Sequence, residues 1–162
     1  MTTTLNGWAY PANKLVTKYI PGVNRRLTLN EDVAPVMLAL AADYHKTIRA
    51  LDKGTTDEGG YNDRPARLAS SRKSNHANGT AMDLNWSEEG AMGSAWGKKF
   101  FATTKVKIAL LAIKKRYGSV IQWGGDWNAK DYMHFEAKPG STPAQFKALQ
   151  NKLGITANGV RK

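Results

Sequence analysis

The 162-residue chain is long enough for one domain with one hydrophobic core and short for two. It has no cysteine, which excludes disulfides, thiol nucleophiles and every cysteine-based zinc site. Its 24 Lys and Arg against 13 Asp and Glu leave a formal charge of +11. That balance favours polyanions (nucleic acid, anionic lipid or the acidic polymers of a bacterial wall) without choosing among them, and part of it belongs to solvated helix faces.

A hydrophobic share of 41% with five Trp fits a folded chain rather than a disordered one. No apolar run approaches the ~20 residues that span a bilayer, so no membrane insertion is expected. Residues 1–6 carry neither a basic region nor an apolar stretch. The expectation is a protein made in the cytoplasm without a secretory signal.

In chain order, residues 1–27 show no period and, punctuated by Pro11, Pro21 and Gly22, are expected as an irregular lead-in. Val33, Val36, Met37, Leu40, Tyr44, Ile48 and Leu51 recur at three- and four-residue steps, which predicts a core-facing helix over 31–51. Asn30 would cap it, Glu31 and Asp32 suit its positive end, and Pro35 falls in its first turn. Residues 52–74 are polar and Gly-rich, the composition of an exposed loop. Residues 81–86 alternate as a short strand, and 90–97 are expected to be loose. A second helix is predicted from Thr103 or Thr104 to Tyr117, ended by Gly118. Strands follow over 120–123 and 133–137, joined through Gly124-Gly125. Thr142-Pro143-Ala144-Gln145 has the form of a capping box, with Phe146, Leu149 and Leu153 burying a last helix before Gly154. The expected organisation is one domain over 1–154 and a tail or linker start over 155–162. The element order indicates a small α+β fold, an antiparallel sheet flanked by helices.

Chemistry concentrates in two segments. Ser74-Asn75-His76-Ala77-Asn78-Gly79-Thr80-Ala81-Met82-Asp83 sets an imidazole and a carboxylate seven residues apart across a turn at Gly79. Both are zinc ligand types, bonding at about 2.0–2.2 Å. Asp131-Tyr132-Met133-His134-Phe135-Glu136 supplies a third ligand, with His134 and Glu136 on one strand face and Asp131 at the strand entry. A nearby carboxylate is what a hydrolytic metal site needs as general base. His45, inside the first helix, reads as an ordinary polar residue. Ser74 and His76, two residues apart with no orienting acid, make a poor serine-protease pair.

The two segments together resemble the VanY-like zinc D,D-carboxypeptidases and the L-alanyl-D-glutamate endopeptidases of phage endolysins. The pattern is Ser-x-His-x6-Asp followed by Asp/Glu-x-x-His, and Trp123-Gly124-Gly125-Asp126-Trp127 also matches; the likeness spans about residues 58–137. It implies a hedgehog-like fold, Zn2+ held by His76, Asp83 and His134, and Asp131 as general base to a zinc-activated water. It further implies an assisting Arg. Arg64, in Gly60-Tyr61-Asn62-Asp63-Arg64, is the nearest match, with Arg67 and Arg72 as alternatives. Ser74 is expected to line the substrate site or support it with Glu136, and Trp123 and Trp127 either wall the cleft or pack the core. The implied substrate is the stem peptide of bacterial peptidoglycan, cut by a monomeric enzyme freed by a holin and drawn to anionic wall polymers. Nucleic acid is not the expected partner. Alternatives are a D-Ala-D-Ala carboxypeptidase and a non-catalytic wall- or nucleic-acid-binding module on the same fold.

Overall fold

Leu27 and Leu29 alternate with Arg26 and Thr28, and this short period-two pattern makes a strand whose apolar side enters the core. In a computed structural model, which describes residues 3–89 and 92–162, that strand is β2 (Arg26–Asn30), paired antiparallel with β1 (Leu15–Tyr19). A hairpin therefore stands where an irregular lead-in was expected. The pattern is hard to read because β1 has no fully buried residue.

The chain then enters α1 (Ala34–Thr47), three residues later at its start and four earlier at its end than periodicity predicts. Val33 is the N-cap residue; Asn30 instead accepts a hydrogen bond from the Asp32 amide and shapes the turn before it. Pro35 sits in the first turn, where its missing N–H costs nothing. Every residue from Ala34 to Tyr44 is buried, so α1 is a central helix wrapped on all sides rather than an amphipathic one. His45 Nδ1 accepts from the Leu51 amide, a local helix-end contact.

Within the segment expected as loop, β3 (Pro65–Ala66) and β4 (Ala69–Lys73) form a second antiparallel pair. The third sheet runs β5 (Ala81–Asp83), β7 (His134–Ala137), β6 (Ile121–Trp123), antiparallel throughout. Its expected strands are present but shorter. Between β5 and β6 lie α2 (Trp86–Glu89), α3 (Ala95–Phe101) and α4 (Thr104–Tyr117). Helix α3 replaces part of the loose stretch expected over 90–97, of which residues 90 and 91 lie outside the described residues. Ser94 caps it and Trp96 stacks on Phe100 one turn later, ring centroids 4.8 Å apart.

The capping box at Thr142 and Gln145 forms as predicted at the start of α5 (Pro143–Lys152). Residues 155–162, expected as a tail or linker start, fold back through a bridge between Ile155 and Arg161. Arg161 then pairs with Asp43 of α1, which also accepts from Tyr117 and Arg116 of α4. The result is a small α+β fold with short antiparallel sheets around one hydrophobic core.

Candidate metal centre and cleft

The local fold of residues 74–80 delivers the first two site residues. Ser74 Oγ accepts from the His76 amide, residues Asn75–Asn78 make one 3-10 turn, and Gly79 reverses the chain at φ 73°. A side chain there would be strained by that φ and would meet the Asn30 amide nitrogen at 2.5 Å and Leu15 at 2.8 Å. After the reversal, β5 sets Asp83 directly opposite His134 of β7. Directly opposed residues of antiparallel strands are within side-chain contact, so this register brings the two distant segments to one point.

There, His134 Nδ1 lies 3.0 Å from Asp83 Oδ1 and His76 Nε2 lies 3.2 Å from Asp83 Oδ2. One ligand atom from each residue falls within 4.8 Å of the others, the one such group of three among the described residues. The far nitrogens are engaged too: His76 Nδ1 is 2.7 Å from the Gly60 carbonyl and His134 Nε2 is 2.7 Å from Glu136 Oε2. A carbonyl only accepts, so Nδ1 of His76 donates to it and Nε2 is the nitrogen that faces Asp83.

Charge and burial couple these groups. Burial acts to raise the Asp83 pKa, but His134 and His76 outweigh it and hold that carboxyl well below the usual range. Burial acts to lower that of His134, but Asp83 and Glu136 together push it up to about 10. Glu136 is held low against its own burial by His134, Asn75 and Gln122. The two carboxylates thus flank the His134 ring, one at each nitrogen, and favour positive charge there.

Zinc fits this set. His76 Nε2 is buried with no hydrogen-bond partner, and two imidazole nitrogens with one carboxylate oxygen are a zinc donor set that leaves a coordination position open.

Asp131 stands beside the group at the entry to β7. Its amide donates to the Gly124 carbonyl, and its Oδ1 is buried without a partner. Burial raises its pKa, His134 opposes, Asp83 adds to the rise, and Arg67 and His76 oppose again. Asp131, His134, Glu136, Ser74 and Asn75 open onto a cleft whose other walls include Leu5, Arg64, Arg67, Leu68, Met92 and Trp127.

The other sequence-predicted residues divide. Ser74 and Trp127 line the cleft, and the Trp127 ring lies 5.2 Å from that of His134. Trp123 does not line it. It is buried against Phe101, Tyr132 and Phe135 with Nε1 donating to the Tyr132 carbonyl, because its strand position points into the core. Arg64 and Arg67 both reach the cleft, whereas Arg72 is not among its lining residues; of the three, only the Arg67 charge acts on Asp131. Two supports went unread in the sequence. Asn75 joins the two segments by donating to Glu136, and Asn6 of the lead-in, buried behind the turn, donates its amide to Asn75. Asn75 could have been singled out from its place between Ser74 and His76; nothing local marks Asn6.

An α+β domain presenting two His and one Asp beside a buried carboxylate is the class that fold and site define. Residues 68–137, a little under half of the chain, match the family described as D-alanyl-D-alanine carboxypeptidase. The matched stretch carries all three candidate ligands, Asp131 and Arg72 but neither Arg64 nor Arg67, and it supports a peptidase. No curated protein and no solved structure gives a match.

Proposed function

We propose that the chain is a zinc-dependent peptidoglycan peptidase of the endolysin type, hydrolysing a peptide bond of the bacterial stem peptide, L-alanyl-D-glutamate in first place. The observation that carries it is the convergence of His76, Asp83 and His134, with His134 and the unpartnered Asp131 Oδ1 at one cleft. In this reading those three residues hold the ion. When bound, zinc supplies Lewis acidity, which acidifies water and polarises a carbonyl.

The chain's own residues do the rest. Asp131 Oδ1 takes the proton from the attacking water and returns it to the leaving amine, a task its burial suits by keeping it more basic than a free carboxylate. Arg67 or Arg64, both lining the cleft, pairs with a substrate carboxylate or with the oxyanion as charge develops. Trp127 and Leu68 offer apolar wall to the peptide. Glu136 and the Gly60 carbonyl fix the two imidazoles. The enzyme would meet its substrate after holin-mediated release, and its positive charge would favour anionic wall polymers.

A second reading, removal of terminal D-Ala by the same site, draws on the description of the matching family. Digestion of purified murein with mass spectrometry separates the two. New amino termini at D-glutamate support the endopeptidase, and free D-Ala supports the carboxypeptidase. Full activity in a strong chelator would overturn both.

A further inference from the structure

Helix α4 carries exposed aliphatic side chains among lysines on its outward face. Val106, Leu110, Ile113 and Tyr117 turn inward and are buried. On the opposite side Ile108 and Leu111, three residues apart and hence on one face, are 64% and 63% exposed. Ala112 lies exposed beside them, and Lys105, Lys107 and Lys115 border the stripe, all exposed. Residues 90–125 contain seven Lys and Arg and no Asp or Glu. Of these seven, Lys114 pairs with Asp126 and Arg116 with Asp43. Lys98, Lys99, Lys105, Lys107 and Lys115 make no ion pair among the described residues.

We infer that the outer face of α4 is a docking surface for an anionic lipid bilayer. An anionic polymer would reward the lysines alone and gain nothing from two exposed aliphatic side chains. A bilayer rewards both, since apolar side chains enter the interface while flanking lysines meet the headgroups. Binding is peripheral: among the described residues no helix is long and apolar enough to cross a membrane. The inner face of α4 stays in the core, so only the Ile108 and Leu111 tips and the lysines engage. Neither signal suffices by itself.

The test is flotation of the whole chain with vesicles of phosphatidylglycerol mixed with phosphatidylcholine, against pure phosphatidylcholine. Binding is expected only to the anionic vesicles. Ile108→Ser/Leu111→Ser should weaken it at least ~tenfold, and each of Lys105→Gln, Lys107→Gln and Lys115→Gln by roughly fivefold. All five positions are exposed, and far-UV circular dichroism checks that each variant keeps the fold. Anionic-vesicle binding that survives Ile108→Ser/Leu111→Ser unchanged would overturn the inference in favour of charge alone. Absence of flotation would overturn it, as would a dimer, seen by sedimentation, that those two substitutions dissociate. Flotation reads no catalysis, so its failure leaves the peptidase reading intact.

Discussion

His134 Nε2 lies 2.7 Å from Glu136 Oε2, two residues along the same strand face. The same carboxylate accepts from Asn75 Nδ2 and, through Oε1, from Gln122 Nε2, both at 2.8 Å. Glu136 therefore ties the β7 histidine to the turn that holds His76, and fixes the separation of two candidate ligands that are 58 residues apart in sequence.

Glu136→Gln keeps the shape but weakens the acceptor for His134. Removing such an outer partner costs about 10–100-fold in metal affinity. Competition against a chromogenic chelator should show that loss with the fold retained. Unchanged affinity would mean that Glu136 serves packing and not the ion.

Asp131 and His76 separate chemistry from binding. Asp131→Asn should retain about one zinc per chain while turnover falls by about 10²–10⁴-fold, the range for loss of a general base. His76→Ala should lose the metal and the activity together. Elemental analysis beside a murein assay reads both; zinc lost in Asp131→Asn would place that residue among the ligands.

The α+β class, helix α4 and the α5 capping box were legible in the sequence, as was the candidate site, whereas the first hairpin and α3 were not, for a physical reason. His76, Asp83, Asp131 and His134 occupy two short segments whose internal spacing is set by one turn and one strand. By contrast β1 buries none of its residues fully, so the hairpin leaves only Leu27 and Leu29 as a signal. Helix α3 contains Gly97, which weakens a helix reading until Ser94 capping and the Trp96–Phe100 stack are known. Trp123 and Trp127 flank the same Gly-Gly pair, yet one faces the core from a strand and the other faces the cleft after a 3-10 turn. Spacing does not distinguish them; the direction of the backbone does.

Removal of the ion should also cost stability, because it leaves His76 and Asp83 buried without it. A ligand present at 100 times its dissociation constant stabilises by about 2.7 kcal/mol. Melting with and without chelator should therefore differ by several degrees in the parent, and not at all in His76→Ala. An equal shift in both would locate the ion elsewhere.

Gly124 is required by close approach rather than by its φ. A Cβ there would run into the Asp131 carbonyl and come within 3.0 Å of Asp131 Cβ and 3.2 Å of His134 Cβ. Gly124→Ala must push the entry to β7 outward, moving the general base more than the ligands held by the sheet. The expected outcome is a fall in kcat with near-normal zinc content. Parent-like kcat would show that the loop relaxes without shifting Asp131.

Glu58 gives the fold a pH dependence of its own. The backbone of the next residue, Gly59, pairs with Asp83, and the Glu58 side chain is fully buried with Arg25 Nε 3.1 Å from Oε1. Burial, with the neighbouring Asp57 carboxyl, pushes its pKa to about 8; Arg25 opposes the rise but does not cancel it. An acid raised in the folded state binds more protons folded than unfolded, so stability must fall as pH rises from about 4.5 to about 8. The slope from this one group is at most about 1.4 kcal/mol per pH unit, and levels off above the folded value. Urea midpoints measured across that window should decline in the parent and decline less in Glu58→Gln, which carries no charge to bury. The same decline in both proteins would assign the titration to another group, and would mean that Arg25 keeps Glu58 ionised.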